Sequence, residues 1–155
     1  MNKRPLALIL TAIVALMAFS SCGYIFGEVA EQGDVTVVIE NTDGTYDVFE
    51  AKLDSVENKK EGVKGVVEHL GQRKDRLCVE MTDGGYGAYV SAIGSIREDS
   101  SRGKYVMVYT SVVTDSYEGA PTVEYEGVTL YQSGVGISGM SVNEGTVILF
   151  RLESY

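Results

Sequence analysis

The chain has 155 residues, with 13 Lys+Arg against 22 Asp+Glu and a formal net charge of −9 at pH 7. That length suits one domain of ordinary size. The acidic balance excludes a basic patch for nucleic acid and any electrostatic attraction to an anionic membrane surface, and otherwise reads as solubility.

The N-terminus is a targeting segment. Lys3 and Arg4 form a basic n-region, Leu6 to Phe19 is hydrophobic apart from Thr11, and the small residues Ser20 and Ser21 follow. The hydrophobic run is shorter than the roughly 20 residues a transmembrane helix needs, so residues 1–21 read as a secretory signal. Cys22-Gly23 comes next and resembles the lipobox of bacterial lipoproteins, with Phe19 where an aliphatic residue is usual. The expectation is a lipidated Cys22, an anchor in the cell membrane and a domain on the extracytoplasmic face. Acyl chains contribute about 0.8 kcal/mol per buried CH₂, so two or three of them hold firmly. Loss of Lys3 and Arg4 leaves 11 basic against 22 acidic residues, a mature charge of −11.

There are two cysteines. With Cys22 lipidated, Cys78 has no intramolecular partner, and its setting in Leu77-Cys-Val-Glu-Met81 predicts a small buried hydrophobe in a strand.

Residues 22–33 read as a short acidic tether, of which Gly23 to Gly33 spans at most roughly 40 Å when extended. Asp34 to Glu40 is rich in Val, Thr and Ile and predicts a strand. Asn41-Thr-Asp-Gly44 is a turn, since Asp-Gly favours positive φ. Thr45 to Leu53 alternates, with Tyr46 and Val48 on one face and Phe49, Ala51 and Leu53 on the other, so the two strands form a hairpin. The turn imitates part of a calcium loop. However, Ile39 occupies the first ligand position and offers no oxygen, and strands rather than helices flank it.

Ser55 to Leu70 is the helix candidate, because Val63, Val66, Val67 and Leu70 follow i, i+3, i+4, i+7 spacing. Gly71 is placed to end it in the left-handed conformation. Gly62 and Gly65 weaken it by about 1 kcal/mol each, so packing on a sheet must hold it. His69 falls beside the apolar stripe and reads as a solvated surface residue. Arg76 to Met81 predicts a strand, and Thr82-Asp-Gly-Gly85 a turn. The stretch that organises the rest follows: an apolar run from Tyr86 to Ile96, a polar break from Arg97 to Gly103, and Lys104 to Thr110. In that last segment Tyr105, Met107 and Tyr109 share one face and Val106 and Val108 the other. Apolar residues on both faces predict an interior strand.

The tail opens with a loop, Thr114 to Pro121, then short strands Val123–Tyr125 and Val128–Tyr131. The final strand, Thr146 to Leu152, sets Val147, Leu149 and Arg151 opposite Ile148, Phe150 and Leu152. Gly134, Gly136 and Gly139 spell G-x-G-x-x-G, but a strand follows where a dinucleotide fold needs a helix, so these read as loop glycines. No hydrolase motif and no Cys/His metal cluster is present, and a non-catalytic protein is expected.

Three segments together resemble the transcobalamin-like C-terminal domain found in surface lipoproteins of Gram-positive bacteria. They are Gly85-Tyr-Gly-Ala-Tyr-Val-Ser-Ala-Ile-Gly94, Lys104-Tyr-Val-Met-Val-Tyr-Thr110, and Gly134-Val-Gly-Ile-Ser-Gly-Met-Ser-Val-Asn-Glu-Gly-Thr-Val-Ile-Leu-Phe150. The resemblance covers nearly all of residues 34–155. It implies an α+β fold, a mixed sheet with one packed helix, β-grasp-like, and a lipid-anchored domain that contacts cobalamin or another corrinoid without being an enzyme. It places the ligand near the loop before the final strand, naming Tyr131, Gly134, Val135, Gly136 and Ile137, with Tyr109 and Thr110 at the rim and no residue as a metal ligand. Ten tyrosines and an acidic surface support an alternative, an adhesion or protein-interaction module with no small-molecule ligand.

Overall fold

The computed structural model describes residues 27–73 and 77–155. The signal segment and Cys22 lie outside the described residues.

The first hairpin forms as the sequence indicates. Strand β1 is Asp34–Glu40 and β2 is Tyr46–Lys52, paired antiparallel from Asp34↔Lys52 to Glu40↔Tyr46. The Asp43 carboxylate accepts hydrogen bonds from the Thr45 N–H at 3.0 Å and its hydroxyl at 2.6 Å. The acid that imitated a calcium ligand therefore serves the turn itself.

The helix is shorter and later than its periodicity suggests. Single 3₁₀ turns cover Leu53–Ser55 and Lys59–Glu61, and helix α1 runs Gly62–Arg73. Gly62 has a φ of +59°, which separates the last 3₁₀ turn from the helix. Val63, Val66, Val67 and Leu70 are buried, as their spacing requires. Gly71 does not cap the helix. It lies inside the last turn, where a Cβ would stand 3.2 Å from the Leu77 carbonyl oxygen, so it serves close approach instead.

Strands β3 (Val79–Gly84), β4 (Gly87–Ile93) and β5 (Ile96–Arg97) form a separate three-stranded antiparallel sheet. The turn expected at residues 82–85 sits later, at Gly85-Tyr86, because Asp83 and Gly84 are already paired with Ala88 and Gly87. Cys78 corrects the sequence reading. It is exposed, since Leu77 takes the buried position ahead of β3 at 2% exposure and alternation turns the next side chain to solvent.

Strands β6 (Lys104–Thr110), β7 (Thr122–Tyr125), β8 (Val128–Gln132) and β9 (Val147–Ser154) join the first hairpin in a six-stranded sheet, order β2-β1-β9-β6-β8-β7. Only β1 and β9 run parallel. The fold is α+β, with two sheets where the sequence suggested one.

Period-two alternation sorts the large sheet into two cores. Val35, Val37, Ile39, Val106, Ile148 and Phe150 face α1 and the small sheet in the main core. Val38, Tyr109, Tyr125, Leu130 and Leu149 form a second cluster on the opposite face. The ring of Tyr125 meets Tyr46 edge-on with centroids 5.2 Å apart, so the β7–β8 hairpin reaches across that face to β2.

Tyr109 anchors the second cluster and donates its hydroxyl to Glu153 Oε1 at 2.6 Å. Burial and the adjacent carboxylate hold the phenol above its ordinary value of 10.0. The folded state therefore keeps a proton that the unfolded chain releases, and the stability this contributes is present below pH 10 and lost as pH rises beyond it. Melting temperature should fall as pH rises above about 10, and Tyr109→Phe should flatten part of that fall. An unchanged profile in the variant would show that Tyr109 ionises as freely in the fold as outside it.

Part of the segment read as a tether is folded. Ala30 donates to the Val142 carbonyl, Val142 donates to the Glu28 carbonyl, and Glu28 donates to Ser141 Oγ.

Candidate functional site

Strand β6 has one occupied edge and one partly open edge. Gly103, Tyr105, Met107, Tyr109 and Ser111 fall at the positions that bond β9, since the Tyr155 N–H donates to the Gly103 carbonyl and the Ser111 N–H to the Val147 carbonyl. The even-numbered residues point their backbone groups the other way. Lys104 exchanges hydrogen bonds with Asp99, Thr110 is paired with Tyr131, and the Val108 carbonyl accepts from the Ser133 N–H at 2.9 Å. Among the described residues nothing pairs with the N–H and C=O of Val106 or with the N–H of Val108.

That open edge faces β4 across a notch of about 250 Å³, lined by Tyr86–Val90, Val106–Val108 and Ser133–Ile137. The loop 133–137 closes one end. Beyond the bond from Ser133 to β6, Gly136 donates to the Tyr86 carbonyl at 2.8 Å and Ile137 to the Ala88 carbonyl at 3.0 Å, so the loop straps β6 to β4. At the start of β6 the Asp99–Lys104 bridge takes up the same strand edge.

Two glycines make the strap possible. A Cβ on Gly136 would lie 2.6 Å from the Gly87 carbonyl carbon, and Gly87 itself has a φ of +104°. Loop and hairpin tip thus meet backbone to backbone, which only glycine permits. Asp115 fixes the strap from behind. It is 7% exposed and accepts from the Ser141 N–H at 2.6 Å and the Ser141 hydroxyl at 3.0 Å, while its carbonyl accepts from Gly134. Burial pushes its carboxyl above the usual carboxylate range, and the two Ser141 bonds pull it partly back.

The structure brings Gly134, Val135, Gly136 and Ile137 together on the notch. Tyr109, Thr110 and Tyr131 lie outside it. Tyr109 is 1% exposed with its ring in the second core, and the Thr110 hydroxyl is fully buried, accepting from the Val112 N–H at 3.0 Å. Tyr131 is half-buried and pairs across strands with Thr110 and Thr122. The sequence reading missed Tyr86–Val90 and the β6 edge as walls of the same notch. The available signal was Gly87, whose pairing with Gly136 no spacing rule reveals. His69 stands elsewhere, half-exposed on α1 near Ser55 and Arg73. Among the described residues no three His, Cys, Asp or Glu side chains gather as a metal-sized group.

No family model and no curated protein matches the chain. Solved structures share its fold, among them these two. A candidate metal-binding protein from Ruminococcus gnavus ATCC 29149 matches with a TM-score of 0.55 and 17% identity, over 79% of this chain and 98% of that one. Haptocorrin in complex with Cbi matches with a TM-score of 0.54 and 14% identity, over 80% of this chain and 25% of haptocorrin. At such identity the likeness establishes the fold alone, which is transcobalamin-like. The chain corresponds to a quarter of haptocorrin's length.

Proposed function

We propose that this chain is a lipid-anchored, extracytoplasmic, non-catalytic domain that binds a corrinoid at the β4–β6 notch. The observation that carries the reading is the notch itself. The loop singled out in the sequence closes an apolar recess with an open strand edge, in a fold shared with a protein crystallised with Cbi. A recess of about 250 Å³ is below the size of pockets that enclose whole ligands, so it takes one edge of a macrocycle and leaves the rest uncovered. Affinity should be correspondingly modest. Binding here draws on apolar contact with Tyr86 and Val135, and on hydrogen bonds from the strand edge to the amide side chains of the ring.

Calorimetry of the full chain with cobinamide tests the reading. We expect binding in the micromolar to millimolar range, weakened roughly tenfold or more by Val135→Asp, which puts a charge at a 42% exposed position of the rim. No heat and no thermal stabilisation at millimolar cobinamide would overturn it and leave the protein-interaction module. Gly136→Val is a poorer probe, because its side chain would part the loop from the hairpin and report stability as much as binding.

The anchor is tested separately. Cys22→Ala should shift the protein from the membrane fraction to the medium. A variant that stays with the membrane, its signal removed, would contradict lipidation at Cys22.

A further inference from the structure

Four tyrosines, Tyr105, Tyr109, Tyr117 and Tyr155, gather on the outer face of β6 and β9, away from the helix. Alternation sets Tyr105, Tyr109, Arg151 and Glu153 on that face, and parallel pairing brings Glu40 of β1 beside Arg151. The rings of Tyr105 and Tyr155 lie 6.3 Å apart at 58°. Tyr155 donates to Glu153 Oε2 at 3.3 Å, and the Gln132 side-chain amide donates to the Tyr155 hydroxyl at 3.4 Å. Tyr117 donates to the oxygen of that same amide at 3.0 Å. Tyr155 is 74% exposed and Tyr117 48%.

The hydrogen-bonding ends of these side chains are turned toward one another, so the face offers a solvent-facing partner chiefly aromatic rings. Its charges are unbalanced. The carboxylates of Glu40 and Glu153 stand against the single guanidinium of Arg151, which lies 3.4 Å from Glu40 and 3.5 Å from Glu153. A saccharide would need free, directed hydrogen-bonding groups, and here most are engaged. A cation needs an aromatic ring face and a negative field, and both are present. We propose that this face docks an arginine-rich segment of a partner protein, its guanidinium groups stacking on Tyr155, Tyr105 and Tyr117. Arginine fits better than lysine because a guanidinium is planar and weakly hydrated. The surface is distinct from the notch, and the proposal stands whether or not a corrinoid binds there.

The test titrates the full chain with a short fluorescent oligoarginine peptide and reads anisotropy. Binding is expected, weakened roughly tenfold in a Tyr117→Ala/Tyr155→Ala double variant and retained in the corresponding double Phe variant, since the ring faces and not the hydroxyls hold the cation. Both positions are largely exposed, and a melting curve matching the wild type confirms that the Ala variant is folded. Oligolysine of equal length should bind more weakly. Absence of oligoarginine binding would overturn the proposal. So would equal binding to wild type and the Ala variant, which would assign the affinity to the overall acidity of the chain.

Discussion

Val106→Asp is expected to abolish cooperative folding. Val106 is 2% exposed and packs in the main core with Ile148 and Phe150, opposite Leu152 across β6 and β9. An aspartate there is an unpaired charge in an apolar setting, which costs several kcal/mol against a total domain stability of roughly 5–15 kcal/mol. The backbone groups of Val106 open on the notch, but its side chain points into the core, so the edge gives the charge no route to water. Circular dichroism during heating should show no cooperative transition. A soluble variant that melts as the wild type does would mean that water enters the notch as far as the Val106 side chain, and that β4 and β6 do not enclose it.

Gly65→Ala separates local propensity from tertiary geometry. Propensity alone favours it, because alanine in a helix interior is about 1 kcal/mol better than glycine. Geometry opposes it, since a Cβ at Gly65 would lie 2.1 Å from the Asn58 carbonyl oxygen, a backbone atom with little freedom to yield. Relief requires α1 to move off the 3₁₀ turn that precedes it. Overpacking of this kind typically costs about 1–3 kcal/mol, and at so short a distance the upper part of that range or beyond is expected, enough to outweigh the propensity gain. Denaturant unfolding should therefore show a net loss of stability. A gain would mean that the turn at Asn58 relaxes freely, and that Gly65 is not what fixes the helix on it.

The same contrast explains what was legible in the sequence. Strands β1, β2, β6 and β9 were readable because each carries a period-two pattern that one-sided or two-sided burial must respect. The two faces of β9 were assigned correctly from alternation alone, with Ile148 and Phe150 in one core and Leu149 in the other. The start of α1 was not readable, because Gly62 and Gly65 are set by contacts with Met140 and Asn58, which lie outside the helix in sequence. Cys78 was misplaced by a single residue of phase, and alternation turns one residue of phase into the opposite face.

The candidate site divided in the same way. Loop residues 134–137 reach the notch because glycines at 134 and 136 mark a backbone that approaches something closely, and that signal is local. Gly136 approaches the Gly87 hairpin tip, 49 residues away, and Gly134 the Tyr117 ring, and no local pattern names either. Tyr109 and Thr110 were drawn toward the rim by their place at the end of β6. In the fold that end is paired on both edges and both residues are buried, whereas the open edge lies at Val106 and Val108.

Hydrogen exchange of the full chain with and without cobinamide tests corrinoid binding at the notch most directly. The N–H groups of Val106 and Val108 have no partner among the described residues, so exchange there depends on what occupies the notch. Saturating cobinamide should slow exchange in Tyr86–Val90, Val106–Val108 and Ser133–Ile137 and leave β2 and β7 unchanged. Protection confined to other segments, or none at a ligand concentration that calorimetry shows to be saturating, would contradict the notch as the binding site.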